Sequence, residues 1–314
     1  MLEFEKPIVE IEKAIARLER IGREKHLDYS EKLIKLRKRL EERKKAVFSN
    51  LSPWQKVELA RCIDRPHTMD YVNVLIEDFV ELHGDRHMGD DPAIIGGLGK
   101  FDGKSIVVIG QQKGGDTKEN LARNFGMAHP EGYQKALRLM KLAERFHIPV
   151  VTLIDTPGAH PGIEAEERGQ ARAIAENLME ISSLHTPIIC IIIGEGGSGG
   201  ALGIGVADYV LMLENSIYSV ISPEGCAAIL WKSQDAKKEA AKALKLTATD
   251  LLRMKIIDEV IAEPLGGAHH NQEKTIENVG ERLKNSLKRL NQIPIEQLLN
   301  LRYEKYRKMG VFEE

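Results

Sequence analysis

Ile188-Ile189-Cys190-Ile191-Ile192-Ile193, followed at once by Gly194-Glu195-Gly196-Gly197-Ser198-Gly199-Gly200-Ala201-Leu202-Gly203-Ile204-Gly205, decides the fold class of this chain. Six apolar residues without a polar interruption predict a strand buried on both faces. Seven of the next twelve residues are glycine, more than tight helix-to-sheet packing alone requires. Glycine lets a ligand approach the backbone and permits positive φ. A strand, a glycine turn and a helix start aim free N–H groups outward. Such donors suit a phosphate, an enolate or an oxyanion.

A second buried run, Val150-Val151-Thr152-Leu153-Ile154, leads into Asp155-Thr156-Pro157-Gly158-Ala159-His160-Pro161-Gly162. Two prolines and two glycines make this a rigid turn. In a parallel sheet both loops fall on one edge, where ligands bind. One N–H from each could then form an oxyanion hole. Asp155 reads first as a cap or turn residue and second as an acid or metal ligand.

Further strands are expected at 105–109, 209–213, 217–221 and 257–261. Helices are expected at 130–146, 164–181, 226–231, 236–244 and 249–254. In the first helix Ala136, Leu139, Met140 and Ala143 share a face; in the second, Ala171, Ile174, Leu178 and Ile181. The alternation predicts α/β layers. Residues 1–50 differ. They carry 24 charged residues, yet Ile8, Ile11, Ile15 and Leu18, then Leu33, Leu36 and Leu40, repeat at helical spacing. This predicts a helical hairpin whose narrow stripe needs a partner. Asp28 and Glu31 resemble a capping box for its second helix. From Asn271 a polar helical tail follows, striped by Leu283, Leu287 and Leu290. The expected organisation is therefore a hairpin over 1–50, a main domain over 51–270 and a helical extension over 271–314.

The 314 residues fit two domains or one large α/β domain. A formal net charge of −2 argues against nucleic acid held by bulk charge. No apolar run approaches the ~20 residues of a membrane span, and the acidic start is unlike a signal peptide. A cytoplasmic protein is expected. Cys62, Cys190 and Cys226 contain no C-x-x-C pair, so no zinc ribbon is expected. His83, His87, His129 and His160 have no metal-ligand spacing; no metal is expected in this chain.

By pattern alone the glycine run is ambiguous. Gly194-x-Gly196-x-x-Gly199 matches a dinucleotide fingerprint, with Glu214 placed as its ribose acid. Gly196-x-Ser198-x-Gly200 matches a nucleophile elbow, which would make the chain a serine hydrolase. That reading needs a histidine, such as His269 or His270, to reach Ser198. Glu224, after Ser222-Pro223, reads as a dipole-compensating carboxylate. Lys113 and Arg123 flank Gly114-Gly115 and could attract an anion, although surface pairing is the default.

Longer runs resolve the ambiguity by resemblance. Glu81-Leu82-His83-Gly84-Asp85-Arg86, Gly110-Gln111-Gln112-Lys113-Gly114, Asn124-Phe125-Gly126-Met127 and Pro130-Glu131-Gly132-Tyr133 come first. Asp155-Thr156-Pro157-Gly158-Ala159, Glu166-Glu167-Arg168-Gly169-Gln170, Gly194 to Gly200, Ile221 to Gly225 and Glu263 to His269 follow in order. Together they resemble the α subunits of the carboxyltransferase component of bacterial-type acetyl-CoA carboxylases, across most of 50–270. The resemblance implies a crotonase-like fold of stacked ββα units. It implies an α2β2 heterotetramer with a β subunit that supplies a zinc ribbon and most CoA contacts. It also implies biotin on a separate biotin carboxyl carrier protein, with biotin carboxylase in the larger complex.

The implied activity is transfer of the carboxyl group of carboxybiotin to acetyl-CoA, giving malonyl-CoA for fatty acid synthesis. Loss of that group leaves negative charge on biotin, and an acetyl enolate follows. Backbone donors, and no protein nucleophile, serve both anions. The resemblance assigns Gly158, Ala159, Gly199 and Gly200 to a backbone oxyanion hole. It assigns Gly196, Gly197, Ser198, His160 and Lys113 to substrate binding. Two positions depart from the family: His160 stands where tyrosine is more frequent, and Gly115 where arginine is.

Overall fold

A computed structural model describes residues 2–310. The chain opens with the expected hairpin, α1 (Lys6–Lys25) and α2 (Ser30–Phe48). Ile8 and Ile15 are buried, and Glu12–Lys44 and Glu19–Arg37 bridge the helices. The expected capping box is absent. Asp28 accepts from the backbone and hydroxyl of Ser30, and α2 begins without a side-chain cap.

Two short helices, α3 (Pro53–Ala60) and α4 (Thr68–Leu75), lead to β1 (Glu77–Glu81), β2 (Ile94–Phe101) and β3 (Lys104–Gln111). Then come α5 (Thr117–Ala122), α6 (Pro130–Arg145), β4 (Val150–Thr156), α7 (Ile163–Glu167) and α8 (Gln170–Ser183). The pivotal pair is β5 (Ile188–Gly197) and α9 (Ser198–Gly205). After it come β6 (Tyr209–Leu213), β7 (Ile217–Ser219), α10 (Pro223–Leu230), α11 (Lys237–Ala243), α12 (Ala248–Arg253) and β8 (Glu259–Ile261). Two long helices, α13 (Gln272–Leu290) and α14 (Ile295–Arg307), close the described chain.

The strands form one sheet in the order β1-β2-β3-β4-β5-β6-β8. β1, β2 and β3 pair antiparallel; from β3 to β8 the pairing is parallel. Beside β4, β5 serves two further neighbours along its other edge. Ile189–Ile192 pair with β6, and Glu195–Gly197 pair with β7. Side chains on β5 alternate between two cores, as a strand of period two requires. Ile188, Cys190 and Ile192 join α6, α8 and α9 on one face. Ile189, Ile191 and Ile193 meet Tyr71, Val279, Leu283 and Leu298 on the other. Each fully buried isoleucine is worth ~1.5–3 kcal/mol. The segment after Asn271 therefore lies on the sheet, with α13 covering one face.

The helix expected over 164–181 is two helices. Gly169, at φ 85°, lies between α7 and α8. The buried face of α8 runs through Ala173, Asn177 and Ile181, whereas Ala171 is exposed. Asn177 takes its place inside by donating to the Tyr133 and Gly203 carbonyls.

Candidate functional site

The parallel strands β4 and β5 end side by side, and their loops meet. After β4, the Thr156 hydroxyl accepts from the Gly158 N–H at 3.1 Å and donates to the Gly158 carbonyl at 2.7 Å. This closes the turn and occupies the Gly158 donor. His160 N–H donates to the Ala128 carbonyl. Between them, the Ala159 N–H has no acceptor among the described residues.

The β5 loop departs from the dinucleotide pattern but has the strand-to-helix turn of an elbow. Gly194 to Gly197 remain in the strand, and the chain turns only at Ser198, which sits at φ 49°. Helix α9 starts there. The N–H groups of its first turn lack helical acceptors and form its positive end. Gly197 and Gly200 press on the first loop. A Cβ on Gly197 would lie 2.1 Å from the Pro157 carbonyl oxygen; one on Gly200 would lie 2.5 Å from the Ala159 nitrogen. Gly199 has room, its nearest neighbour being Ile174 at 3.5 Å. Gly203 packs on Tyr133, where a Cβ would approach to 2.7 Å. The two loops thus share one corner made of main chain, with the unpaired Ala159 donor beside the α9 terminus.

The dinucleotide pattern fails on its turn, and the hydrolase pattern fails for want of partners at Ser198 among the described residues. A dinucleotide fingerprint needs its first glycine in the turn, but Gly194 is inside β5. Glu214 is turned to Glu263, whose N–H it accepts at 3.3 Å. Ser198 makes no side-chain hydrogen bond among the described residues, and His269 is bonded to Glu5. No triad forms.

Behind the corner lies a buried polar network that the sequence did not announce. Gln111 touches both loops: Oε1 accepts from the Asp155 N–H and Nε2 donates to the Gly200 carbonyl, each at 3.1 Å. Asp155 accepts from Lys113 at 2.7 Å and from the Glu195 N–H at 3.0 Å, and lies 3.2 Å from His67 Nδ1. Burial opposes ionisation of Asp155, but the Lys113 charge and the His67 contact prevail and hold its carboxyl far below the usual range. Arg61 joins Glu195 and Glu224, both at 2.7 Å. Lys113 is thus held by an internal carboxylate. Glu224 is the outer end of an ion chain, while Ser222 caps α10 by accepting from Gly225. Arg61, His67, Lys113, Asp155 and Glu195 line a cavity of about 220 Å³ on one side of the corner. An apolar cavity of about 360 Å³, lined by Leu202, Tyr218, Val220 and Tyr306 among others, adjoins Ser198.

His160 stacks on His129, ring centroids 4.0 Å apart. Asp91, 3.7 Å from His129 Nδ1, raises that imidazole, whereas burial and the neighbouring His129 lower His160.

The family model described as "Acetyl co-enzyme A carboxylase carboxyltransferase-like" matches residues 1–310. The acetyl-coenzyme A carboxylase carboxyl transferase subunit alpha of Geobacter metallireducens is 56% identical over 313 residues, covering 100% of this chain and 98% of the relative. That of Methylococcus capsulatus is 54% identical over 313 residues, with the same coverage. Among solved structures, the chain resembles the transcarboxylase 12S hexamer core with methylmalonyl-coenzyme A bound: TM-score 0.60, 19% identity, covering 76% of this chain and 45% of that one. The P. aeruginosa geranyl-CoA carboxylase β subunit gives 0.54 at 14% identity, covering 84% and 48%. The chain thus spans just under half of those solved chains, and the likeness is one of fold.

Proposed function

This chain belongs to the acetyl-CoA carboxylase carboxyltransferase α-subunit family, and we propose from that premise how its main-chain corner serves carboxyl transfer to acetyl-CoA. The observation that carries the reading is the unpaired Ala159 N–H beside the α9 N-terminus. Membership implies a β subunit and a partner that carries biotin. Carboxybiotin, when bound, supplies the carboxyl group. The donor set fits such a group: the corner offers N–H donors, and no protein nucleophile is aligned at Ser198.

In this reading Ala159 N–H and the first-turn N–H groups of α9 hold negative charge as it develops. Their geometry is set beforehand, so little reorganisation is needed, and one such donor is worth about 2.7–4 kcal/mol of barrier. Thr156 fixes the β4 turn by occupying Gly158. Gln111 holds the Asp155 and Gly200 peptides in register. Gly197 and Gly200 keep side chains out of the corner. Ser198 shapes the turn, and His160, packed on His129, walls the approach.

We further propose an α2β2 assembly in the cytoplasm, with the zinc ribbon and most CoA contacts on the β subunit. In it residues 51–270 carry the reaction and the 1–50 hairpin serves assembly. Val220, Ile229, Leu230 and Trp231, large apolar residues exposed around α10, support a partner surface there. Among the described residues no helix is long and apolar enough to cross a membrane.

The test is reconstitution. The chain alone should not decarboxylate malonyl-CoA with free biotin; the chain with a cognate β subunit should. Full activity of the isolated chain would overturn the reading.

A further inference from the structure

Glu5 and His269 are 264 residues apart, yet their side chains meet. Glu5 Oε1 lies 2.8 Å from His269 Nε2 and 3.4 Å from His270 Nε2. One donor atom from each of the three residues falls within 4.8 Å of the others. The Glu5 and His269 side chains are 4% and 6% exposed, and His270 is 27% exposed. The second nitrogen of His269, Nδ1, is buried without a hydrogen-bond partner. Nε2 is the nitrogen that faces the carboxylate, so Nδ1 stands outside the cluster.

The loop that presents the two imidazoles is rigid. Gly266 and Gly267 adopt φ of 102° and 88°, where a side chain would be strained. The Gly267 N–H donates to the Pro264 carbonyl, and His270 N–H to the Gly267 carbonyl. Glu263 anchors the loop by accepting from Ala268 N–H and from the buried Arg65. Glu5, on the first turn before α1, closes the cluster from the other end of the chain.

We propose that Glu5, His269 and His270 bind a divalent transition metal, zinc by chemistry, and so staple the N-terminal hairpin to the loop after β8. Two imidazoles and one carboxylate are a familiar zinc donor set, with metal–ligand bonds of about 2.0–2.2 Å. Tetrahedral bonds of that length put donors about 3.3–3.6 Å apart; the 3.4 Å between Glu5 and His270 already fits, and Glu5 and His269, at 2.8 Å, move apart to admit the ion. Magnesium and calcium prefer oxygen-rich sites. The part-exposed His270 side leaves an entry path.

The test uses the full-length chain without an affinity tag. Zinc is titrated calorimetrically against a competing chelator into wild type, Glu5→Gln and His270→Ala. One equivalent should bind to wild type, and each substitution should weaken it more than about tenfold. His270→Ala removes a part-exposed ring, and an unchanged circular dichroism spectrum shows that it folds. Cobalt should give the visible bands of nitrogen and oxygen ligation without a thiolate charge-transfer band. No zinc uptake by wild type, or equal uptake by wild type and His270→Ala, would leave a hydrogen-bonded cluster only and overturn the proposal. A thiolate band would equally overturn it, since it would move the metal to a cysteine.

Discussion

A methyl group on the α-carbon of Gly200 would lie 2.3 Å from the carbonyl carbon of Gly158. No rotamer relieves this, because both partners are main chain. Gly200→Ala must push the two loops apart and move the N–H donors off target. We expect kcat in the reconstituted reaction to fall about a hundred- to thousandfold. Gly199→Ala, with its open surroundings, should retain most activity. Equal losses in the two variants would show that the contact is not what matters.

Gln111 is expected to matter through position. Its amide ties the Asp155 peptide to the Gly200 peptide. Gln111→Leu keeps the volume and removes both bonds. Misplacement of this kind costs up to about a hundredfold in kcat, with KM nearly unchanged. A rise in KM at constant kcat would instead assign Gln111 to substrate binding.

The stacked imidazoles should titrate apart. His129 is raised, so its contribution to stability is present below the ordinary imidazole value and lost as pH rises through its folded value. His160 is lowered, so its contribution is lost as pH falls from the ordinary value through its folded one. Proton NMR of the ring Cε1–H groups should show His129 protonating first as pH falls. The reverse order would mean that Asp91 does not govern the pair.

Arg302 is 1% exposed and fully used. It pairs with both Asp208 oxygens at 2.8 Å and donates to the Ile181, Leu184 and Thr186 carbonyls at 2.9 Å. Arg302→Ala leaves the buried Asp208 carboxylate without its counter-charge, held by the Ile188 N–H, and takes the guanidinium from three carbonyls. Breaking such a pair costs about 3–5 kcal/mol, to be read from denaturant unfolding. A change below about 1 kcal/mol would contradict this account.

The fold was legible where burial is double-sided. The runs at 150–154 and 188–193 contain no alternation because each face meets its own core. β1 escaped notice because Glu77-Asp78-Phe79-Val80-Glu81 is an edge strand with exposed charges. β2 escaped because Gly96, Gly97 and Gly99 interrupt its apolar pattern. Those glycines make room for Leu139, Phe79 and Ile76, side chains from other elements. At the site, composition marked both loops and the likeness named the chemistry. It did not show that Thr156 occupies Gly158, or that Gln111 spans the loops. Gln111 reaches partners 44 and 89 positions away, and such range leaves no local pattern; Thr156 and Gly158 are two positions apart, but a threonine there does not say which N–H it occupies.

The corner between β4 and β5 consists of peptide groups, and this bears on how the protein can change over evolutionary time. Peptide groups are the same whatever the codon. Mutation has no functional group there to exchange, only glycines such as Gly197 and Gly200 whose enlargement blocks the corner. On the proposed reading, new acyl preferences arise in side chains beside the corner, such as Leu202, Tyr218 and Val220, or in a partner chain. The reactive centre stays fixed while its surroundings diversify.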